Sequence, residues 1–99
     1  MGERIVEVSA GDCHVLARGG TGKVFSWGWN GRGQLGRGGR EDKGLPGYVV
    51  LEEESRGCPY KCRSAQGGSG VSYILVDERK VMWSGKGGAE EGDSVGFKE

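Results

Sequence analysis

The chain has 99 residues, 22 of them glycine, and its 14 Lys and Arg residues balance 14 Asp and Glu residues. A formal net charge of zero argues against a dedicated nucleic-acid binder, and glycines without an every-third period exclude collagen. No run of 18 apolar residues and no secretory signal are present, so we expect no membrane span and an intracellular location, cytoplasmic or nuclear.

Apolar residues are scarce, since hydrophobic types make up only 34% of the chain. A chain of this size and composition can hardly bury a closed core unaided. We therefore expect either partial disorder or neighbouring segments that complete the core. The three cysteines, Cys13, Cys58 and Cys62, are odd in number and follow no signal sequence, so no disulfide framework is predicted.

The first half of the chain has the pattern of an antiparallel meander. Alternating β-branched and aromatic residues predict four strands, at residues 4–10, 14–18, 23–28 and 47–52. Short glycine-containing turns join the first three. Between the third and fourth strands, the glycine-rich stretch 29–39 excludes a helix at about 1 kcal/mol per glycine. It is predicted to be an ordered loop with Leu35 as its apolar anchor.

The second half repeats the first. Strands are predicted at residues 60–65, 71–77 and 80–85, and Gly85 follows Gly28 by 57 residues. Such a period is typical of repeat architectures. Trp83 stands one place before the position equivalent to Trp27, which would put it on the other face of its sheet. The acidic tail, residues 89–99, shows no convincing fourth strand. The predicted units are residues 4–53, a connection at 54–59, and an incomplete second repeat at 60–99.

Three motifs in the first unit occur in a characteristic order. They are A-G-x-x-H-x-x-A at residues 10–17, V-F-S-W-G at 24–28 and N-x-x-G-Q-L-G at 30–36. This combination resembles the repeat of the RCC1 (regulator of chromosome condensation 1) family. The resemblance covers residues 4–53 well, whereas residues 60–88 resemble a degenerate copy. The residues that carry the structural motif are Gly11, His14, Trp27, Gly28, Gly33, Gln34, Leu35 and Gly36.

The resemblance implies an all-β fold made of blades from a seven-bladed β-propeller. By this interpretation the chain holds one full four-stranded blade and most of a second, and further blades or chains are needed to close the ring. Family members include an exchange factor for the Ran GTPase that binds chromatin, a plant UV-B photoreceptor, and propellers attached to ubiquitin ligases. The photoreceptor's G-W-R-H-T motif is replaced here by G-D-C-H-V at residues 11–15, which argues against light sensing.

Two glycine motifs could suggest nucleotide binding. Gly31-x-Gly33-x-x-Gly36 matches the dinucleotide fingerprint, but Arg37-Gly38-Gly39 follows where a helix must begin. Residues 17–23 approach a phosphate-binding loop, yet Val24 stands where Ser or Thr must bind magnesium. We interpret both stretches as turns and loops of the sheet, and we predict no cofactor.

The remaining chemically interesting residues also have simpler interpretations. Cys13, His14, Cys58 and Cys62 could supply four zinc ligands, but Cys13 and His14 should point to opposite sides. The favoured alternative makes Cys13 a small buried residue and places Cys58 and Cys62 beside an inter-blade loop. His14, the only histidine, is expected to bond to the neighbouring turn, so no metal site and no catalytic residue are predicted.

The candidate partner-binding residues lie in the glycine loop. Phe25 and Trp27 share one face of their strand and are expected to form the blade-to-blade core. Trp29 follows the strand and is the aromatic residue expected to be exposed, where it could anchor a protein partner. Three arginines of the same loop complete the predicted partner-binding set, namely Arg32, Arg37 and Arg40.

The sequence thus predicts a non-catalytic propeller segment that recognises a protein partner. Two alternatives remain open: part of a guanine-nucleotide exchange factor for a small Ran-like GTPase, or a propeller attached to a ubiquitin ligase. Chromatin is a possible partner only by analogy with the family, and no membrane partner is expected.

Overall fold

The strands form two four-stranded antiparallel sheets. The computed structural model describes residues 4–49, 52–53, 58–59, 62–76, 80–87 and 92–98. The first sheet has the order β1 (Ile5–Ala10), β2 (His14–Gly19), β3 (Val24–Gly28) and β4 (Lys43–Val49). The second has the order β7 (Cys62–Gly67), β8 (Val71–Val76), β9 (Lys80–Gly85) and β10 (Ser94–Lys98). In the chain segment that joins the two sheets, β5 (Glu52–Glu53) pairs with β6 (Cys58–Pro59).

The first sheet follows the predicted meander except at its last strand. Strand β4 begins at Lys43, four residues before the predicted start at Gly47, and it contains Pro46. A proline lacks the N–H that a central strand needs, but β4 is an edge strand, where one side of the backbone needs no partner. Predicted positions 50 and 51 lie outside the described residues, and Glu52, the predicted last residue, belongs to β5.

The second sheet contains a fourth strand that the sequence pattern did not predict. Strand β10 pairs with β9, with Ser94 opposite Gly85 and Lys98 opposite Trp83. The expectation of a tail without a strand was therefore wrong. The reason is tertiary: Phe97 packs against the core, and the Val95 carbonyl accepts a hydrogen bond of 2.9 Å from Gly38 N–H in the first unit.

The internal repeat is reproduced in the strands themselves. Strands β1 and β7, and likewise β2 and β8, begin and end 57 residues apart. The 57-residue offset predicted from Gly28 and Gly85 therefore also relates these strands. Predicted positions 60, 61 and 77 lie outside the described residues.

The core lies between the two sheets. The first sheet contributes Leu16, Val24 and Val49, and the second contributes Cys62, Ala65, Ile74, Val76 and Met82. Burying a side chain of Val or Leu size stabilises a fold by about 1.5–3 kcal/mol. Packing of the two sheets therefore buries a single core, to which both sheets contribute residues.

The two sheets pack front to back, which leaves one apolar face open on each. Phe25 and Trp27 share a face, as predicted, because they pair with Ala17 and Val15 of β2. This face is not the one between the two sheets, so Phe25 and Trp27 do not contribute to the core between them, and their role in a blade-to-blade core stays a prediction. Phe25 stacks instead on Tyr48, with ring centroids 4.6 Å apart.

Trp83 lies on the opposite face from the one that Trp27 occupies in its own sheet. Trp83 pairs with Tyr73, which is exposed, while the neighbouring Met82 is buried in the core. The prediction made from the one-place displacement in the repeat is confirmed.

Candidate functional site

The loop between β3 and β4 is organised around the buried side chain of Asn30. Its Nδ2 group donates to the carbonyls of Gly39, at 2.9 Å, and Glu41, at 3.0 Å. Its Oδ1 accepts the Leu35 N–H at 3.0 Å, and its own N–H donates to Asp42 Oδ1 at 2.8 Å. One side chain thus satisfies backbone groups that a glycine-rich loop could not pair by itself.

Two buried serines of the second sheet hold the same loop. Ser72 Oγ donates to the Gln34 carbonyl, and Ser84 Oγ donates to the Gly33 carbonyl, both at 2.6 Å. From the first sheet, Ser26 Oγ donates to the Leu35 carbonyl at 2.7 Å. The G-Q-L stretch of the first unit is therefore fixed against the second unit, and its backbone oxygens are not free for a ligand.

The glycines that bracket this loop have conformations that other residues rarely adopt. Gly28 has φ 115° and Gly36 has φ 65°, both in the positive range that favours glycine. A Cβ at Gly28 would lie 2.8 Å from the Cys13 carbonyl oxygen, and one at Gly36 would overlap the Phe97 ring. Both positions require glycine, because the backbone has a positive φ and because a Cβ would overlap neighbouring atoms.

His14 connects the two sheets. It is 2% exposed, and its Nε2 lies 2.8 Å from Ser72 Oγ. Because the Ser72 proton goes to the Gln34 carbonyl, His14 Nε2 must carry the proton of the other bond. The expected bond to the neighbouring turn is replaced by one to the second sheet.

Burial sets the charge state of this histidine. Burial lowers the pKa of His14 below its ordinary value, and the smaller opposing effects of the Val71 backbone and the Asp12 carboxylate do not reverse this. Its Nδ1 has no hydrogen-bond partner within the described part of the chain. The neutral imidazole thus serves as a link between the units.

Glu7 makes a second polar link between the sheets. Its Oε1 accepts Arg18 Nε–H at 3.1 Å and the Ala65 N–H of the second sheet at 2.9 Å. Burial alone would raise the pKa of Glu7, but the bonds from Ala65 and Arg18 and the Arg18 charge outweigh it, so the pKa is lowered. The carboxylate is therefore held in its charged form.

The four predicted partner-binding residues do not lie together. Trp29, 45% exposed, and Arg32 line a cleft of about 200 Å³ at the junction of the two units. Arg37 instead donates through Nη1 to the carbonyls of Ser26, at 3.1 Å, and Leu45, at 3.3 Å. Arg40 is exposed but does not line the cleft.

The junction cleft, as we call it, is built from equivalent positions of the two units. Asp12, Cys13 and Trp29 of the first unit are each matched by a residue 57 positions later, and Arg32 and Gln34 complete the wall. The matching residues are Ser69, Gly70 and Lys86. Motif analysis of the first unit alone missed them, although the 57-residue repeat places them opposite their counterparts.

Two basic residues, Arg32 and Lys86, lie beside Gly70 in this cleft. A Cβ at Gly70 would lie 3.2 Å from Arg32 Cδ and 3.8 Å from Lys86 Cβ. Arg32 Nη1 also lies 3.5 Å from Asp93 Oδ2, and both side chains are partly exposed. An ion pair of that length and exposure is weak, so the Arg32 guanidinium can bind another anion.

The cysteines take different environments from those expected. Cys13 is exposed and lines the junction cleft, so the interpretation as a small buried residue was wrong. Cys62 is buried, and burial raises the pKa of its thiol to about 11. With Cys13 outside and His14 inside, the two point apart as predicted, and the described residues contain no cluster of three metal ligands. The side chain of Cys58 lies outside the described residues.

The two four-stranded sheets and the motif loop of the first unit define a class of protein, namely a β-propeller built of repeated four-stranded blades. Models of the regulator of chromosome condensation (RCC1) repeat match residues 5–34 and 21–75. The chain belongs to the RCC1 repeat family, as its sequence motifs predicted. Its two sheets do not close a ring, so it represents an incomplete propeller. Within the described residues, no helix has the length and apolarity to span a membrane.

Sequence relatives include a much larger protein. The chain is 34% identical over 89 residues to the E3 ubiquitin-protein ligase HERC2 of Homo sapiens and of Mus musculus. The matched segment is 88% of this chain and 2% of those proteins. The chain therefore spans a small fraction of the length of these relatives.

Solved structures share the fold. Human WBSCR16 superposes with a TM-score of 0.84 at 15% identity, over 99% of this chain and 25% of that one. Prp20p from Saccharomyces cerevisiae, described with its binding properties to Gsp1p and histones, gives 0.69 at 25% identity, over 84% and 19%. Yeast RCC1 (Prp20) bound to Kap60 gives a TM-score of 0.65 at 24% identity, over 84% and 18%.

Proposed function

We propose that this segment recognises a protein partner through the junction cleft and carries out no catalysis of its own. The observation that carries the proposal is the exposed indole of Trp29 beside Arg32, in a loop whose other motif residues are buried. Trp and Arg are the residue types most enriched in the energetic centres of protein interfaces. Loops on a rigid sheet scaffold are also where binding function concentrates.

The surroundings of the glycine loop support a binding role over an enzymatic one. His14, the only histidine of the chain, is buried and hydrogen-bonded to Ser72, so it is poorly placed to exchange protons with a substrate. The carbonyls of Gly33 and Gln34 accept serine hydroxyls, and Gly36 leads to a strand bridge at Arg37 rather than to a helix. Nothing in this arrangement favours a dinucleotide cofactor.

The proposed binding site includes two of the four predicted partner-binding residues. Trp29 and Arg32 remain in the proposal because they line the junction cleft. Arg37 is better explained as a structural residue that joins the backbone of β3 to the start of β4. Arg40 is retained only as an exposed charge outside the cleft.

A guanine-nucleotide exchange role is the second candidate, favoured by the similarity to Prp20p, which was described with its binding to Gsp1p and histones. A nucleotide-release assay of the native full-length protein against a panel of small GTPases separates the two. Release of bound nucleotide supports exchange, and binding without release supports recognition alone. The similarity to HERC2 supports the third possibility, a propeller attached to a ubiquitin ligase, and all three fit an intracellular protein with additional blades.

Substitution of Trp29 by alanine tests the recognition role. In the native full-length protein, Trp29→Ala should keep the melting temperature and lose about 2 kcal/mol or more of partner binding, as interface tryptophans commonly do. A pull-down and a melting curve measure the two effects. Leu45→Ala is the matched control, because Leu45 is exposed on the neighbouring strand β4 and does not line the cleft. Intact binding with a lowered melting temperature would show that Trp29 serves packing only.

A further inference from the structure

We propose that the junction cleft binds a carboxylate of an acidic peptide segment, an inference that rests on the proposed recognition function. Arg32 and Lys86 come from different units and both line the cleft beside Gly70, where the absence of a Cβ lets the Arg32 side chain lie against the backbone. Gly70 has φ 71°, so the backbone there also disfavours any residue that would fill the space. Two basic side chains next to a residue without a side chain can bind an anion through charge-assisted hydrogen bonds.

Gln34 adds an unused donor to the same wall. The residue is completely buried and lines the cleft, and its Oε1 accepts the Arg32 N–H at 3.0 Å. Its Nε2 has no hydrogen-bond partner among the described residues. Leaving a buried amide donor unpaired costs about 1–3 kcal/mol, so a ligand oxygen that reached it would be favoured. A carboxylate offers oxygens to this donor and to a cation at once.

The surrounding residues select a peptide over a nucleic acid. Asp12 lines the same cleft, and Asp93 lies beside Arg32, so a continuous phosphate chain would meet two negative charges. A peptide can place a single carboxylate between the cations and present uncharged neighbours to the aspartates. The exposed indole of Trp29 then offers an apolar surface for a side chain next to the acidic one.

The first experiment uses defined peptides with the native full-length protein. A fluorescein-labelled peptide in which Glu and Ser alternate around a central Leu is titrated by anisotropy, beside the same peptide with Gln in place of Glu. The Glu peptide should bind at least about tenfold more tightly, because each charge-assisted hydrogen bond contributes about 1.5–3 kcal/mol. Equal binding of the two peptides, or tighter binding of a labelled oligothymidine, would overturn the proposal.

Charge reversal locates the site. Lys86→Glu and Arg32→Glu should each weaken the Glu peptide at least about tenfold, while Arg40→Glu, an exposed charge outside the cleft, should change its affinity less than about twofold. Lys86→Gln serves if a reversed charge disturbs folding. A loss with Arg40→Glu as large as with the cleft variants would mean that only overall charge matters, which overturns the proposal.

Cys13 provides an independent reporter of occupancy. Its exposed thiol lines the cleft, so a bound Glu peptide should slow its alkylation by iodoacetamide several-fold, measured by mass spectrometry. An unchanged rate at saturating peptide would place the peptide elsewhere. If partner capture is lost with Trp29→Ala but unaffected by Lys86→Gln, the recognition function stands and the carboxylate site falls. If neither variant affects capture, both fall.

Discussion

Single residues decide whether the motif loop can pass between the two sheets. Gly36 lies against the ring of Phe97, and Gly28 lies against the backbone around Cys13. Ser72 and Ser84 supply the hydroxyls that hold the loop from the opposite side. The path of the loop thus depends on glycines that leave room for close packing and on serines that donate hydrogen bonds to its carbonyls.

Replacing Gly36 by valine should destabilise the fold by about 1–3 kcal/mol, since a β-branched residue at positive φ is strained. The Phe97 ring in the same space adds to this cost. Chemical denaturation measures the free energy of unfolding. Gly39→Val is the matched control, because Gly39 lies in the same loop with no atom within 4 Å of its Cβ position and no positive φ. Equal stability of the two variants would contradict the role assigned to Gly36.

The buried histidine predicts a dependence of stability on pH. The pKa of His14 is lowered in the folded state, so the unfolded state binds more protons when the pH falls below the ordinary value of 6.5. Stability should therefore decline as the pH falls from 7 towards the folded-state pKa, with a slope of at most about 1.4 kcal/mol per pH unit for one proton.

Denaturant midpoints between about pH 5 and pH 7 test this prediction, since groups with His-like pKa values titrate there. His14→Gln removes the titrating group and should flatten the profile. The Glu7 pKa is lowered, so its contribution to stability is lost only as the pH falls through and below its ordinary value of 4.5. An unchanged slope in His14→Gln would show that another group is responsible.

At the scale of elements, the strands that depart from the prediction are the outer ones. Strand β4 contains Gly44, Pro46 and Gly47, which normally indicate a turn. Strand β10 is short and has Gly96 at its centre. Both are end strands of their sheets: β4 pairs with β3, and β10 pairs with β9 and has an isolated bridge from Gly96 to Arg37. Such edge positions tolerate residues that a central strand excludes.

Phe97 is predicted to stabilise β10. The side chain is partly buried and packs against the core, so Phe97→Ala should cost about 1–3 kcal/mol, below the range for a fully buried Phe. Val81→Ala on the exposed side of β9 is the control and should cost less than about 0.5 kcal/mol, as a surface substitution does. Thermal or denaturant unfolding compares the two. Equal losses would mean that the tail does not dock as described.

At the scale of the whole molecule, the packing repeats without closing. Among the described residues, no sheet packs on the face of the first sheet that carries Val8, Val15 and Tyr48, or on the face of the second sheet with Tyr73 and Val81. Val8 is 62% exposed and Tyr48 57%. The sheets pack front to back, so the interface between them joins one face of each of these two types. Further blades would therefore pack on the open faces at both ends in the same way.

The isolated 99-residue segment is therefore predicted to be marginally stable or to self-associate, because repeat proteins need about three units for a continuous core. Analytical ultracentrifugation at increasing concentration measures the association. Val81→Lys should reduce it, since a charge on an apolar contact face is costly to bury. A monomer that unfolds in one sharp, concentration-independent transition would contradict the prediction.

Patterns along the sequence were sufficient to predict the family, the all-β class and the first three strands of each meander. This was possible because alternation and turn glycines are local signals, and because the motif residues occur in order along the chain. The motif also included Gly28 and Gly36, the two loop glycines that the structure places at positive φ. The predicted limits of the repeats, residues 4–53 and 60–99 with the connection 54–59, stay predictions.

Only the tertiary structure decided which face became core and which residues met at the cleft. Val24 rather than Phe25 faces the second sheet, since the direction in which units stack is not encoded in the period of one strand. Strand β10 exists because β9 offers an unpaired edge and the core accepts Phe97. Arg37 and Arg32 lie five positions apart in one loop but differ in role, because Arg37 donates to backbone carbonyls of β3 and β4. No local sequence pattern indicates this tertiary contact.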